Sequence, residues 1–84
     1  MHYTYKTSGV CSRSIDFDVE EGKLKNVKYV GGCDGNLKGI GKLVEGMDIS
    51  EVAKRLEGIK CGFKATSCPD QLARALKEIL AKEG

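Results

Sequence analysis

The sequence is poor in the residues that several kinds of chemistry require. It has one histidine, one proline and no tryptophan, and its aromatics are three tyrosines and two phenylalanines among 84 residues. The one histidine, His2, lies at the N-terminus, so a Cys–His nucleophilic pair is not expected. No aromatic is interleaved with a basic run, and mixed acidic and basic residues leave a formal net charge of only +2. Nucleic-acid binding, which asks for clustered cations and stacking rings, is therefore not expected. No apolar run approaches the roughly 20 residues that span a bilayer. The opening Met-His-Tyr-Thr-Tyr-Lys alternates like a strand and lacks the apolar region of a signal peptide. That start predicts a cytoplasmic protein with no membrane segment. P-loop and dinucleotide fingerprints are missing, and Gly39-Ile40-Gly41 is too short a glycine pattern to stand for one. There is no linker, repeat or low-complexity stretch, so residues 1–84 are expected to form a single domain. Its core will be small, of the size that a metal, a disulfide or a partner often supplements. A self-contained enzyme is not expected.

What the chain does contain is a run of strand patterns followed by a run of helix patterns. His2 to Thr7 reads as a strand with Tyr3 and Tyr5 on one face. From Ser14 to Glu20, Ile15, Phe17 and Val19 face one way, while Asp16, Asp18 and Glu20 face the solvent. Glu21-Gly22 supplies a hairpin turn, with glycine providing the positive φ such turns demand. Lys23 to Val30 returns as a third strand in which Leu24 is out of phase with Val27 and Tyr29. Either a bulge or a frayed start accounts for that. Asn36 to Val44 places Leu37, Ile40, Leu43 and Val44 at helical spacing. Gly39 and Gly41 weaken this helix by roughly 1 kcal/mol each relative to alanine, or else permit close packing. Asp48 with Glu51 predicts an acidic capping box ahead of an apolar stripe of Ile49, Val52, Ala53, Leu56 and Ile59, stopped by Gly58. A last helix from about Pro69 to Lys82 buries Leu72, Ala73, Leu76, Ile79 and Leu80 and exposes Arg74, Lys77 and Glu78. Strands first and helices after predict an α+β fold: a three-stranded antiparallel sheet with about three helices packed on one face.

The four cysteines, Cys11, Cys33, Cys61 and Cys68, fall at junctions between these elements rather than within the apolar stripes. Cys33 sits in Gly31-Gly32-Cys33-Asp34-Gly35, where flanking glycines allow unusual backbone angles and close approach. Pro69 suits the first helical position, which would make Cys68 the N-cap, its sulfur beside the unpaired N–H groups of the first turn. In a reducing compartment four such cysteines are expected as thiols rather than structural disulfides. Four sulfurs converging from loops at one end of a sheet suit zinc or an iron–sulfur cluster. The gaps of 22, 28 and 7 residues contain no Cys-x-x-Cys knuckle, so spacing alone does not choose the metal reading.

At Thr66-Ser67-Cys68-Pro69-Asp70 the chain spells the motif that names the TSCPD domain family, and Cys61-Gly62 and Gln71-Leu72-Ala73 resemble that family's flanks. The resemblance covers essentially the whole chain, which is similar to the short stand-alone members. Related domains form C-terminal extensions of cobalamin-dependent ribonucleotide reductases, and stand-alone members are often labelled by that association. The reductase chemistry needs a large barrel with radical-bearing cysteines, which a domain of this size does not supply. The resemblance therefore implies an accessory or tail module, bearing metal or relaying thiols, with ribonucleotide reductase or another redox enzyme as partner. Nucleotide binding enters through that association alone.

The element order also resembles the iron–sulfur assembly scaffolds (IscU, NifU N-terminal). Cys11 precedes a strand hairpin, Gly32 to Gly35 form a Gly-Cys-x-Gly turn, and Cys68 opens the last helix. That likeness implies a β-β-β-α-α-α fold, with Cys11, Cys33 and Cys68 as ligands to zinc or a nascent cluster and Cys61 as the fourth. Arg13 and Ser67 stand where the scaffolds carry an aspartate and a histidine, so the likeness supports fold and metal binding rather than cluster assembly. Two other functions remain open: a redox relay in which Cys61 and Cys68 form a reversible disulfide, and an interaction module without chemistry.

Overall fold

A computed structural model describes residues 1–10, 12–31, 34–60 and 66–83. Strands β1 (His2–Lys6), β2 (Ser12–Glu20) and β3 (Lys23–Gly31) form an antiparallel sheet in the order β1-β2-β3. Helices α1 (Asp34–Val44), α2 (Ile49–Leu56) and α3 (Cys68–Glu83) follow. The fold is α+β, with the β-β-β-α-α-α order that the sequence implied.

The β2–β3 hairpin turns through Glu21 (φ 52°) and Gly22 (φ 75°). Positive φ at both central residues is the type I′ geometry that matches the right-handed twist of the flanking strands. The phase problem in β3 is a bulge and not a frayed end. Register passes from Asp16↔Lys28 to Asp18↔Lys25, so β3 spends one residue more than β2, and Asn26 sits at φ 53°. The extra residue returns Leu24 to the face that carries Val27 and Tyr29, and Leu24 is fully buried.

A second irregularity lies at the other end of the same strand pair. Ser12 pairs with Gly31 and Ser14 with Val30, so Arg13 is the extra residue on β2. Under strict alternation Ser12 would face outward with Ser14 and Asp16. The inserted residue reverses that parity, so Ser12 is buried and Arg13 is exposed.

One sheet face carries Ile15, Phe17 and Leu24 into a cluster with Val44 of α1, Ile49, Val52 and Ala53 of α2, and Leu72, Ala75, Leu76 and Ile79 of α3. Tyr3 stacks on Phe17 at a centroid distance of 5.6 Å. Burying each large aliphatic or aromatic side chain contributes about 1.5–3 kcal/mol, the main favourable term for a chain of this size. α1 lies close against β3 because position 41 has no side chain: a Cβ there would stand 2.9 Å from the Val27 carbonyl oxygen, whereas one at Gly39 would meet nothing within 4 Å. Of Gly39 and Gly41, only Gly41 is required by packing.

The link between α1 and α2 fastens to the start of β3 through Leu24 N–H to Met47 C=O (2.8 Å), Gly46 N–H to Leu24 C=O (2.7 Å) and Ile49 N–H to Gly22 C=O (3.0 Å). This attachment overturns the expected capping box. Asp48 is the N-cap of α2, but its side chain makes no cap hydrogen bond. The Lys23–Asp48 bridge brings Lys23 alongside, and its ammonium takes the Asp48 carboxylate at 2.9 Å. Glu51 turns instead to Arg55 at 2.8 Å, one helical turn on. Two apolar assignments also fail. Leu43 is 79% exposed because the seam of α1 runs through Leu37, Gly41 and Val44. Ile59 is 42% exposed because α2 ends at Leu56, before the stripe reaches it. Among the described residues no helix is long and apolar enough to cross a membrane.

Candidate functional site

Cys68 is the one cysteine of the predicted four that lies among the described residues; Cys11, Cys33 and Cys61 lie outside them. Its surroundings are set by the start of α3, which begins one residue earlier than the proline rule implies. Cys68 is the first residue of the helix rather than its cap. Ser67 occupies the cap position: its Oγ accepts the Asp70 N–H at 3.2 Å, and its carbonyl accepts the Gln71 N–H at 2.8 Å. A serine hydroxyl reaches the third N–H of a helix and satisfies it, which a thiol does less well, so the cap falls on Ser67 and Pro69 moves to the second position.

The Cys68 thiol is buried, and its Sγ stands 3.1 Å from the Ser12 Oγ, where either group can donate the proton. Ser12 reaches this spot because the Arg13 bulge turns it inward. Two further bonds hold the neighbourhood. The Tyr29 hydroxyl donates to the Cys68 carbonyl at 2.9 Å. The Thr7 hydroxyl donates to the Ser12 carbonyl at 2.6 Å, closing the turn between β1 and β2. Burial, reinforced by the neighbouring Cys68, pushes the Tyr29 phenol well above its ordinary value, so Tyr29 stays a neutral donor.

The remaining motif residues form a buried polar network. Asp70 is 4% exposed. One of its carboxylate oxygens accepts the Gly58 N–H at 2.7 Å, and the other takes the Thr66 hydroxyl and the Arg74 guanidinium, the latter at 3.0 Å. Burial alone would raise its pKa, but the bonds from Thr66 and Gly58 and the charge of Arg74 hold the carboxyl below its ordinary value. The Ser67 hydroxyl donates to the Ile59 carbonyl at 2.6 Å. Gln71 is 1% exposed; it donates to the Thr66 hydroxyl at 3.0 Å and accepts the Ser8 N–H at 3.2 Å. Among the described residues every buried side-chain nitrogen and oxygen has a hydrogen-bond partner.

The acidic face of β2 behaves as a solvated face. Asn26 donates to Asp18 at 3.0 Å, His2 pairs with Asp18 at 2.8 Å, and the two bonds hold that exposed carboxyl below its ordinary value. A groove of about 620 Å³ runs over β3 and α1, bordered by Val27, Tyr29, Leu37, Gly41 and Lys42. Tyr29 therefore borders this groove as well as reaching Cys68.

Among the described residues no group of three or more His, Cys, Asp and Glu side chains is placed to hold a metal. Among them Cys68 supplies a single buried sulfur at a helix start, with the Ser12 hydroxyl in contact. Ser12 follows Cys11 in the sequence, and Gly31, which pairs with Ser12, precedes Cys33 by two residues. Sequence reasoning missed Ser12, Tyr29, Thr66, Ser67 and Gln71 as parts of this site. The Ser-x-x-Asp spacing from Ser67 to Asp70 was a usable capping signal. Nothing local marked Ser12 or Tyr29.

The family model of the TSCPD domain matches residues 3–80. No curated protein and no solved structure matches the chain.

Proposed function

We propose that this chain, which belongs to the TSCPD domain family, is a small cysteine-ligated metal-binding accessory module working beside ribonucleotide reductase. The ligands in this reading are Cys11, Cys33, Cys61 and Cys68, and the metal is zinc or an iron–sulfur cluster. The observation that supports it is the contact of Cys68 Sγ with Ser12 Oγ at 3.1 Å, because Ser12 follows Cys11 in the sequence and pairs with Gly31, two positions before Cys33 in the sequence. A zinc held by four thiolates leaves no position open for water, so it would act structurally, adding folding energy to a small core. The reductase setting is supported by family kinship with the extensions of cobalamin-dependent reductases. The chain's own part is to present sulfur donors, exclude water around Cys68 and hold the first turn of α3 through Tyr29.

The test is metal content with the visible absorption spectrum, on protein purified without oxygen or added chelator. About one zinc per chain in colourless protein supports a structural zinc module, and brown protein with iron and sulfide supports a cluster carrier. Cys68→Ser should then lower metal content and melting temperature together. Metal-free protein with four titratable thiols overturns the metal reading in favour of the Cys61–Cys68 relay.

A further inference from the structure

Thr66, Ser67, Asp70 and Gln71 are all buried, their buried side-chain nitrogens and oxygens all have hydrogen-bond partners, and none is a metal donor in the reading above. Three of them join α3 to two other stretches of chain. Asp70 accepts the Gly58 N–H, and the Ser67 hydroxyl donates to the carbonyl of Ile59, which lies two residues ahead of Cys61 in the sequence. Gln71 takes the Ser8 N–H, three residues ahead of Cys11. Thr66 stands between them, donating to Asp70 and accepting from Gln71. Each tied stretch leads directly to a cysteine, and α3 itself begins with one.

We infer that Ser67, Asp70 and Gln71 are positioning residues: they clasp the chain segments leading to Cys11 and Cys61 onto the helix that carries Cys68. The effect is preorganisation. Two thiols on free segments meet only at the loop-closure cost of the intervening chain, and pinned ends remove most of that cost. Loss of comparable outer-shell hydrogen bonds around metal ligands lowers metal affinity about 10–100-fold. The clasp deepens the metal reading, but its effect on thiol proximity does not depend on that reading.

The test uses the full chain, reduced and treated with chelator, equilibrated in glutathione buffers of known composition. Two protein thiols are oxidised to one disulfide as one glutathione disulfide is reduced to two glutathiones, and peptide mapping quantifies the Cys61–Cys68 and Cys11–Cys68 bonds. Ser67→Ala should lower the Cys61–Cys68 equilibrium constant about tenfold or more, and Ser67→Thr, which keeps the hydroxyl, should restore it. Gln71→Leu should depress Cys11–Cys68 and spare Cys61–Cys68, a selectivity that general loosening does not produce. Far-UV circular dichroism confirms folding of each variant; if Ser67→Ala does not fold, Asp70→Asn takes its place. Equal constants in folded wild type and folded variants overturn the clasp, as does a wild-type constant no higher than that of the urea-unfolded chain. In parallel, zinc competition against a chelator should show the 10–100-fold weakening. Wild type that binds no zinc refutes the metal reading while the disulfide constants still judge the clasp.

Discussion

The starts of α2 and α3 are built from similar sequence signals and end differently. Asp48 with Glu51 and Ser67 with Asp70 both present a capping residue and an acid three positions on. At α2 the site is exposed, and the cap side chain leaves the helix for Lys23. At α3 the site is buried, the hydroxyl caps the helix, and the acid turns outward to Gly58, Thr66 and Arg74. The difference follows from solvent. An exposed N–H at a helix start has water as a partner, so an exposed cap is optional. A buried one has none, and leaving it unpaired costs about 1–3 kcal/mol. Burial converts a local preference into an obligation.

Breaking the buried start should have the largest effect. Asp70→Ala leaves the Gly58 N–H, the Thr66 hydroxyl and the Arg74 guanidinium without their acceptor, and it is expected to cost about 3 kcal/mol in urea unfolding. A loss under about 1 kcal/mol would show that water enters this network. Acid should act through the same group. A carboxyl held low in the folded state contributes stability above its unfolded value, near pH 4, and that contribution is lost as pH falls through the folded value. Wild-type stability should therefore drop below about pH 4 more steeply than that of Asp70→Asn, read from melting temperatures. Parallel pH curves would remove Asp70 from the acid response.

Ser67→Ala comes next, at about 1.5 kcal/mol from the lost cap and the lost bond to Ile59. Asp48→Ala should be nearly silent, under about 0.5 kcal/mol, because it removes only an exposed pair with Lys23. A cost near that of Ser67→Ala would mean that Asp48 caps α2 in solution and would erase the contrast.

Much of the fold was legible because period and punctuation are local properties. The alternation of Ile15, Phe17 and Val19, the Glu21-Gly22 turn and the stripe Leu72, Leu76, Ile79 all act within a few residues, and each is where its pattern places it. Leu43 and Ile59 were misread because spacing assigns a face without saying how far a helix runs or which neighbour covers it. The candidate site was legible only in part. Cys68 was marked by its place before a helix, while Ser12 was hidden by a rule that alternation states correctly and a bulge reverses.

The sequence by itself determined the α+β class, the order of elements and the family, since these rest on pattern and composition. Tertiary structure alone decided that Arg13 is spent as the extra residue of the β2–β3 ladder, that Ser12 therefore meets Cys68 and that Tyr29 reaches the same turn. It also turned Ser67, Asp70 and Gln71 from helix-start residues into ties between distant segments. The reason is physical: which polar groups are cut off from water depends on what packs over them, and those groups must then find partners wherever the fold has placed them.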